Sequence, residues 1–572
     1  MSSLTLRGCL LALAWAGATG CTTGGTEAIA GPSGSSGSAG TSAVVGGAAG
    51  SAGAPVSSGG SASLLMAPRI RRLTNAEYDA SVQALLGTKL SLSAQFVPDA
   101  RLYKYAKFDR NEAQIVEPVL ARQLQQAAER LATEYVTNQL DQTLPCAVQG
   151  DAACARTFFE SFLPKAYRRP VSASELDALL SMVVTPAVTR DGFRAAIELG
   201  IEAALQSTAF LYHSELGPDA ATGTAFTLTN AEIADALSYL LTGGPADSEL
   251  LAATDLASPE RREAQARRLL ETPGARGQVR HMVKQWLDID QIGSIAKDKL
   301  KFPDFNASLF DQESNDFIEE VLFNRKGNFE LLLSADFTMG TSLLAEVYGA
   351  PAPPDSDFGV IDLKALPRRG ILNRGAFLAS YATPDFPAPV RRGARFLTQV
   401  LCIDPGDPNA LMLMLTLPPP NPTKTTRQRF EDHTQGPCAA CHGMIDSVGF
   451  TFEHFNAAGV WEAAEDGNPE LPIDSSTTLK LPSDIPFGTE AVADSSRLAE
   501  LASQSAAGRR CFARNLARFT SASYGPALEQ GFIDEWQRLA ASGQDSMQEM
   551  LVAYVKSNFF SARDPKGAVG GN

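Results

Sequence analysis

Cys438-Ala439-Ala440-Cys441-His442 sets two thiols three positions apart and an imidazole directly after the second. This C-x-x-C-H spacing is that of covalent c-type haem attachment. The thiols add to the haem vinyl groups, and the adjacent imidazole reaches the iron as proximal ligand. Cysteine and histidine are scarce, 8 and 5 of 572 residues, so composition alone yields such a match only about once in a thousand chains. Two other chemistries use the same residues, a redox dithiol and half of a zinc site. Zinc calls for a second Cys/His pair at ligand spacing, and none follows. A redox dithiol calls for a βαβ setting, which the flanks lack. The expectation is haem c held by Cys438, Cys441 and His442.

Several residues are candidates for the distal side of the iron. Met412 and Met414 lie in an apolar segment. Core packing is the ordinary use of such methionines, whereas ligation would raise the redox potential. His433 lies five residues before Cys438, so a short loop limits its reach across the ring. His454 is the last candidate, against the plainer reading of a hydrogen-bonding surface histidine. An open distal side would suit a peroxidase-like or sensing role. Met444 is two residues past His442 and belongs to the proximal side. Glu453 and Asp446 are a candidate acid/base pair, although a turn or cap after the haem helix is the simpler use of Asp446. No G-x-S-x-G, H-E-x-x-H or strand-to-helix G-x-G-x-x-G motif accompanies them.

The elements that must carry these residues read as helices. Leu73-Thr74-Asn75-Ala76-Glu77 opens one with a capping box, Thr74 capping and Glu77 reaching back. Tyr78, Val82, Leu85 and Leu86 form its apolar face, and Gly87 stops it. The same words recur at Leu228-Thr229-Asn230-Ala231-Glu232, with Gly243-Gly244 as the stop. Either two good caps coincide or a helical module is duplicated. Ser172-Ala173-Ser174-Glu175 is a third start, and amphipathic stretches run through 189–211, 259–290, 307–323 and 498–518. Strand signals are few, the best being Ile473-Asp474 and Leu479-Lys480-Leu481, which suggest a small β-hairpin after the haem motif. The fold class expected is mainly α. Lys297, Lys299 and Lys301 read as a solvated helix face or loop. A net charge of −15 without a basic stripe excludes nucleic acid as partner.

At the N-terminus, Arg7 and the apolar run Leu10–Ala16 read as an export signal too short to span a bilayer. Ala18-Thr19-Gly20-Cys21 resembles a lipobox, which makes Cys21 the lipidated first residue. Gly, Ser, Ala and Thr then dominate to about Ser63, the composition of a flexible tether. No later stretch approaches eighteen apolar residues. Export permits disulfides. Cys9 leaves with the signal, so Cys146, Cys154, Cys402 and Cys511 remain to be paired. Three pairings exist, and Cys146–Cys154 with Cys402–Cys511 is the most economical.

Taken in order, further segments carry a resemblance. They are Arg71–Tyr78, Ala166-Tyr167-Arg168-Arg169-Pro170, Leu205–Glu215, Gln285-Trp286-Leu287, Phe302–Phe305, Ala335–Thr338, Arg369–Leu372, Arg392-Gly393, Cys402, His433, the C-x-x-C-H, Ile445-Asp446, Gly449-Phe450 and Cys511–Arg514. From about residue 68 to 563 the chain resembles the planctomycete-type cytochrome C proteins, also common in myxobacteria, which are built from domains of unknown function. With the signal placed over 1–20 and the tether over 21–66, the resemblance divides the rest into helical modules over 67–140, 141–222 and 223–351. A haem-binding module over 352–465 and a C-terminal module over 466–572 follow. It places His433 in a family pattern beside the haem. An oxidative or carbohydrate-related role has been suggested for such proteins, and most of the modules have no assigned activity. Two departures flank the haem motif. Ile403-Asp404-Pro405-Gly406 replaces a proline-rich run, and Glu453-His454-Phe455-Asn456 replaces Glu-Asn-Phe-Asp.

The function expected is that of a monohaem c-type cytochrome-like protein, an electron-transfer or oxidoreductase component lipid-anchored in a bacterial cell envelope and facing the periplasm or cell surface. It would work with an unidentified redox partner. The alternative is a helical structural or binding lipoprotein in which haem is non-catalytic or absent.

Overall fold

The computed structural model describes residues 65–101, 108–218, 223–354, 357–406, 421–430 and 438–567. The signal, Cys21, the tether up to residue 64, Met412, Met414 and His433 lie outside them, whereas Met66, at the tether's expected end, is buried and bridged to Arg563. The fold is mainly α, with strands of two to five residues paired in four two-stranded ribbons among the described residues. No described helix is long and apolar enough to cross a membrane.

Both expected capping boxes form. Thr74 Oγ1 accepts from the Glu77 backbone N–H at 3.2 Å while the Glu77 carboxylate accepts from Thr74 N–H at 2.9 Å. This starts the Asn75–Leu86 helix, and Gly87 ends it in the left-handed region. Thr229 and Glu232 repeat the device for Asn230–Thr242, with Gly243 as left-handed stop. Ser172 and Glu175 do so for Ala173–Leu179. Three amphipathic stretches expected to be continuous are broken, 189–211 at Gly192 and again before Thr208. Thr272 caps and Pro273 opens a second helix within 259–290, giving Pro259–Leu270 and Pro273–Trp286. Ser505 likewise separates Ser495–Gln504 from Ala506–Ser521.

The recurring words prove to be more than two caps. Strand Arg69–Arg72 leads into the first capped helix and pairs antiparallel with Tyr212–Glu215. Strand Phe226–Thr227 leads into the second and pairs antiparallel with Ala562–Arg563. The register is the same in both: Leu73 N–H donates to Leu211 O at 2.8 Å, and Leu228 N–H donates to Ser561 O at 2.9 Å. Each closing strand follows a four-residue helix, Thr208–Leu211 or Asn558–Ser561. Earlier in each unit a helix carrying a disulfide-bonded cysteine, Cys154 or Cys511, ends on a left-handed non-glycine residue, Arg168 or Ala522. This common plan favours duplication over coincident capping. The second unit is much longer and contains the haem motif.

Two hydrophobic cores follow the same division. One is built from residues between Tyr78 and Leu211, the other from Leu228 to Phe560 with Phe108 added. Buried ion pairs tie the opening and closing ribbons together. Glu215 accepts from Arg69 Nε at 2.7 Å and from Arg563 Nε at 2.9 Å. Burial opposes the charge on Glu215, but Arg563 and Arg69 outweigh it and hold the carboxyl well below the usual range.

A small hairpin is present, but Ile473 does not enter it, its N–H donating to Ala463 O instead. Thr477–Thr478 pairs with Ala491–Val492, and Leu479 and Leu481 N–H extend the pairing to Glu490 and Gly488. Lys297 departs from its expected solvated place. It is 7% exposed, and its Nζ donates to the carbonyls of Ala379, Ala382 and Thr383. Burial pushes its pKa down to about 8, with Arg392 and Arg391 adding to the effect. A lysine satisfied by three carbonyls pins one loop to another, an arrangement that composition does not signal.

Candidate haem site

The motif opens the helix Ala439–Gly449, with Cys438 at its N-cap in helical conformation. At 3.6 residues per turn, positions 438, 441 and 442 share one face. Ile445 and Val448 continue that face towards the helix C-terminus and are buried in the second core, against which Cys441 and Met444 also pack. Both motif thiols are uncrosslinked and partly exposed. The other four described cysteines are all paired, as Cys146–Cys154 and Cys402–Cys511. The only uncommitted described thiols are therefore the two at attachment spacing.

His442 is supported from one turn further on. Its Nδ1 lies 3.2 Å from Asp446 Oδ1. A proton on Nδ1 directed at a carboxylate puts the ring's lone pair on Nε2, the tautomer suited to metal ligation. Asp446 is 2% exposed, and its second oxygen has no hydrogen-bond partner. This corrects the expected turn or cap. The helix continues through Asp446 to Gly449 because Ile445 and Val448 keep its apolar face on the core. The candidate Asp446–Glu453 acid/base pair is not what forms either. Asp446 serves His442, whereas Glu453 receives Arg427 Nε at 3.4 Å.

Glycines bring the supporting helix close. The Pro389–Arg395 helix crosses the motif helix with backbones in contact. A Cβ on Gly393 would sit 2.3 Å from Ile445 O, and one on Gly449 would sit 2.4 Å from Pro389 O. Arg392, fully buried beside this crossing, donates to the carbonyls of Leu378, Phe452, Phe455 and Asn456. Burial pushes its pKa down to about 9, with Arg368 adding to the effect. The guanidinium thus fastens the chain that leaves the motif helix. Gly393→Ala should cost about 2 kcal/mol, because backbone atoms must separate. The denaturation midpoint and the haem yield should fall together, and an unchanged midpoint would mean that the crossing is looser than described.

From the other side, the chain after Cys402 passes Cys441. A Cβ on Gly406, whose φ is +97°, would lie 3.2 Å from Cys441 Sγ. The Cys402–Cys511 bridge therefore stands four residues from a wall of the thiol site.

The donor set fits haem c: two uncommitted thiols, a histidine with carboxylate support, and partial exposure on one helix face. Among the described residues, no group of three or more His, Cys, Asp or Glu side chains is arranged to hold a bare metal ion. Attached haem asks only one axial ligand of this helix. His454, a distal candidate by sequence, has other partners. Its Nδ1 lies 2.7 Å from Glu462 O, and its ring stacks on Trp461 at 5.0 Å between centroids.

A mainly α body bearing a C-x-x-C-H helix is what a cytochrome-like family would present. Four family models match the chain, each described as a protein of unknown function. They are PSD3 (DUF1587) over residues 71–137, PSD5 (DUF1595) over 154–215, PSD4 (DUF1592) over 228–350 and PSCyt3 (DUF1588) over 368–465. Together they cover more than half of the chain, which belongs to the multi-domain planctomycete-type cytochrome C family. No curated protein and no solved structure matches it.

Proposed function

We propose that the protein is a monohaem c-type cytochrome-like component of the bacterial cell envelope that exchanges single electrons with a redox partner. The observation that carries this reading is the helix face on which Cys438, Cys441 and His442 lie together, with Asp446 against His442. Cys438 and Cys441 would hold haem c, and His442 would be its proximal ligand. When bound, the group supplies a one-electron couple at iron. The chain's own part is to orient the imidazole through Asp446 and to fix the motif's helix in the core through Ile445 and Val448, further along the same face. Hydrogen bonding to the ligand histidine raises its basicity, which favours the oxidised metal. Asp446→Asn should therefore raise the potential. Reduced-minus-oxidised spectra of protein matured with c-type haem machinery test the reading. A c-type spectrum is expected, and its absence would leave the helical binding-protein alternative standing.

The envelope location rests on Cys21 and the segment after it. A flexible tether of about forty residues has a root-mean-square span of about 35 Å, enough for a haem body to meet several neighbours. Cys21→Ser is expected to move the body to the soluble fraction with haem still attached. Membrane fractionation as before would refute the lipid anchor.

A further inference from the structure

A cavity of about 360 Å³, lined mostly by residues of the haem-binding module, has no role in the reading above. Its walls come from separate stretches, including Lys301-Phe302, Thr383–Pro387, Thr426–Phe430 and the chain from Glu453 to Ile473. Glu453 is the informative residue. It is 6% exposed, and one carboxyl oxygen, Oε1, has no hydrogen-bond partner. The other oxygen has only the long contact from Arg427. A buried polar atom left unmatched costs about 1–3 kcal/mol, so an orphan in a cavity wall points to a missing partner.

The walls indicate what that partner is. Asp385, Glu462, Glu465 and Asp466 outnumber the two basic wall residues, Lys301 and Arg429. Lys301 is spent on Asp466 at the rim, at 3.3 Å. The Arg429 guanidinium lies over the Phe386 ring, 4.9 Å from its centroid, with its own Nε also unmatched. Phe386 in turn stacks on Phe430, with planes 5° apart. An excess of carboxylates selects positive charge, and aromatic walls select a flat apolar body that carries it.

We propose that this cavity binds an organic cation, an ammonium or amidinium group on an apolar body, with Glu453 as its counter-ion. Burial, joined by Glu465 and Asp474 and opposed by Arg427, pushes the Glu453 carboxyl up to about 8. The free site therefore holds a neutral acid at pH 7. An arriving cation supplies the missing charge, Glu453 ionises, and one proton leaves to solvent. Affinity then rises with pH up to about 8 and levels off above it. The other charged groups that face Glu453 are Arg427, Glu465 and Asp474. Glu465 is held by Thr426 through its backbone N–H and hydroxyl.

Titration of the full-length, haem-loaded chain with benzamidinium chloride, in two buffers of different ionisation heat, tests this. Saturable binding with release of close to one proton at pH 7 is expected. The dissociation constant should fall by about tenfold between about pH 6.5 and about 7.5. Glu453→Gln should abolish both the proton release and the pH dependence, and should weaken binding at least about tenfold above pH 8. Asp385→Asn at the rim should weaken it less. Proton release by the unaltered chain decides the matter even if Glu453→Gln folds poorly. The proposal fails if benzamidinium does not bind, if it binds without proton release, or if benzyl alcohol or glucose binds as tightly. Haem spectra do not enter these readouts, so the outcome is separate from that of the cytochrome reading.

Discussion

Chain in which Cys438 and Cys441 are both replaced by Ala is expected to carry no haem that survives acid extraction. Each of these sulfurs forms one of the two thioethers, and no other described cysteine is uncommitted. Haem stain on a denaturing gel should therefore disappear rather than weaken. Either single replacement should leave at most one thioether and a reduced yield. His442→Ala should keep some covalent haem but lose the proximal ligand, and the spectrum should show it. The helix itself should survive these changes, because its anchors are Ile445, Val448 and the glycine crossing with Pro389–Arg395. An unchanged far-ultraviolet circular dichroism signal would separate loss of cofactor from loss of fold. Persistent acid-resistant stain in the double variant would overturn the assignment of haem to this motif.

The parts of this molecule that were readable before its structure are those whose causes are local. Thr74 with Glu77 and Thr229 with Glu232 are capping devices complete within four residues, so spacing alone places them. The two paired ribbons were not readable. Strands of two to four residues have no periodicity to detect, and Arg69–Arg72 meets a partner about 140 residues away. The His442–Asp446 contact had the right spacing for two residues on one helix face, but a carboxylate after a motif also suits a turn, and only the buried face decided it. Lys297 shows the reverse error. Its neighbours Lys299 and Lys301 suggested solvent, while its carbonyl partners come from Ala379 to Thr383. The cavity at Glu453 was beyond sequence reasoning because its walls are drawn from segments some 170 residues apart. Every element of it is ordinary by itself, and only unmatched polar atoms, Glu453 Oε1 and Arg429 Nε, mark it.

Removing the Cys402–Cys511 bridge should have the largest effect on stability. The bridge closes a loop of sequence separation 109 that contains the whole haem motif. In the chain-entropy account a loop of that size is worth about 5 kcal/mol. The Cys146–Cys154 bridge, with separation 8, is worth about 2.5 kcal/mol by the same relation. Local packing points the same way. Cys511 is 2% exposed on the Ala506–Ser521 helix, where Phe512 meets Trp286 edge-on at 5.0 Å, and Trp286 Nε1 donates to Gln399 O at 2.7 Å. The bridge thus links the C-terminal helices to the chain that passes Cys441. Cys402→Ala with Cys511→Ala should lower the denaturant midpoint well below that of the Cys146→Ala, Cys154→Ala chain, both measured without reductant. Reductant should bring the unaltered chain down to the level of the chain lacking both bridges. Haem yield should fall in the first variant and hold in the second, because only the long loop encloses the attachment site. Equal midpoints for the two variants, or free thiols at Cys402 and Cys511 in the exported chain, would show that the long loop is held by packing alone.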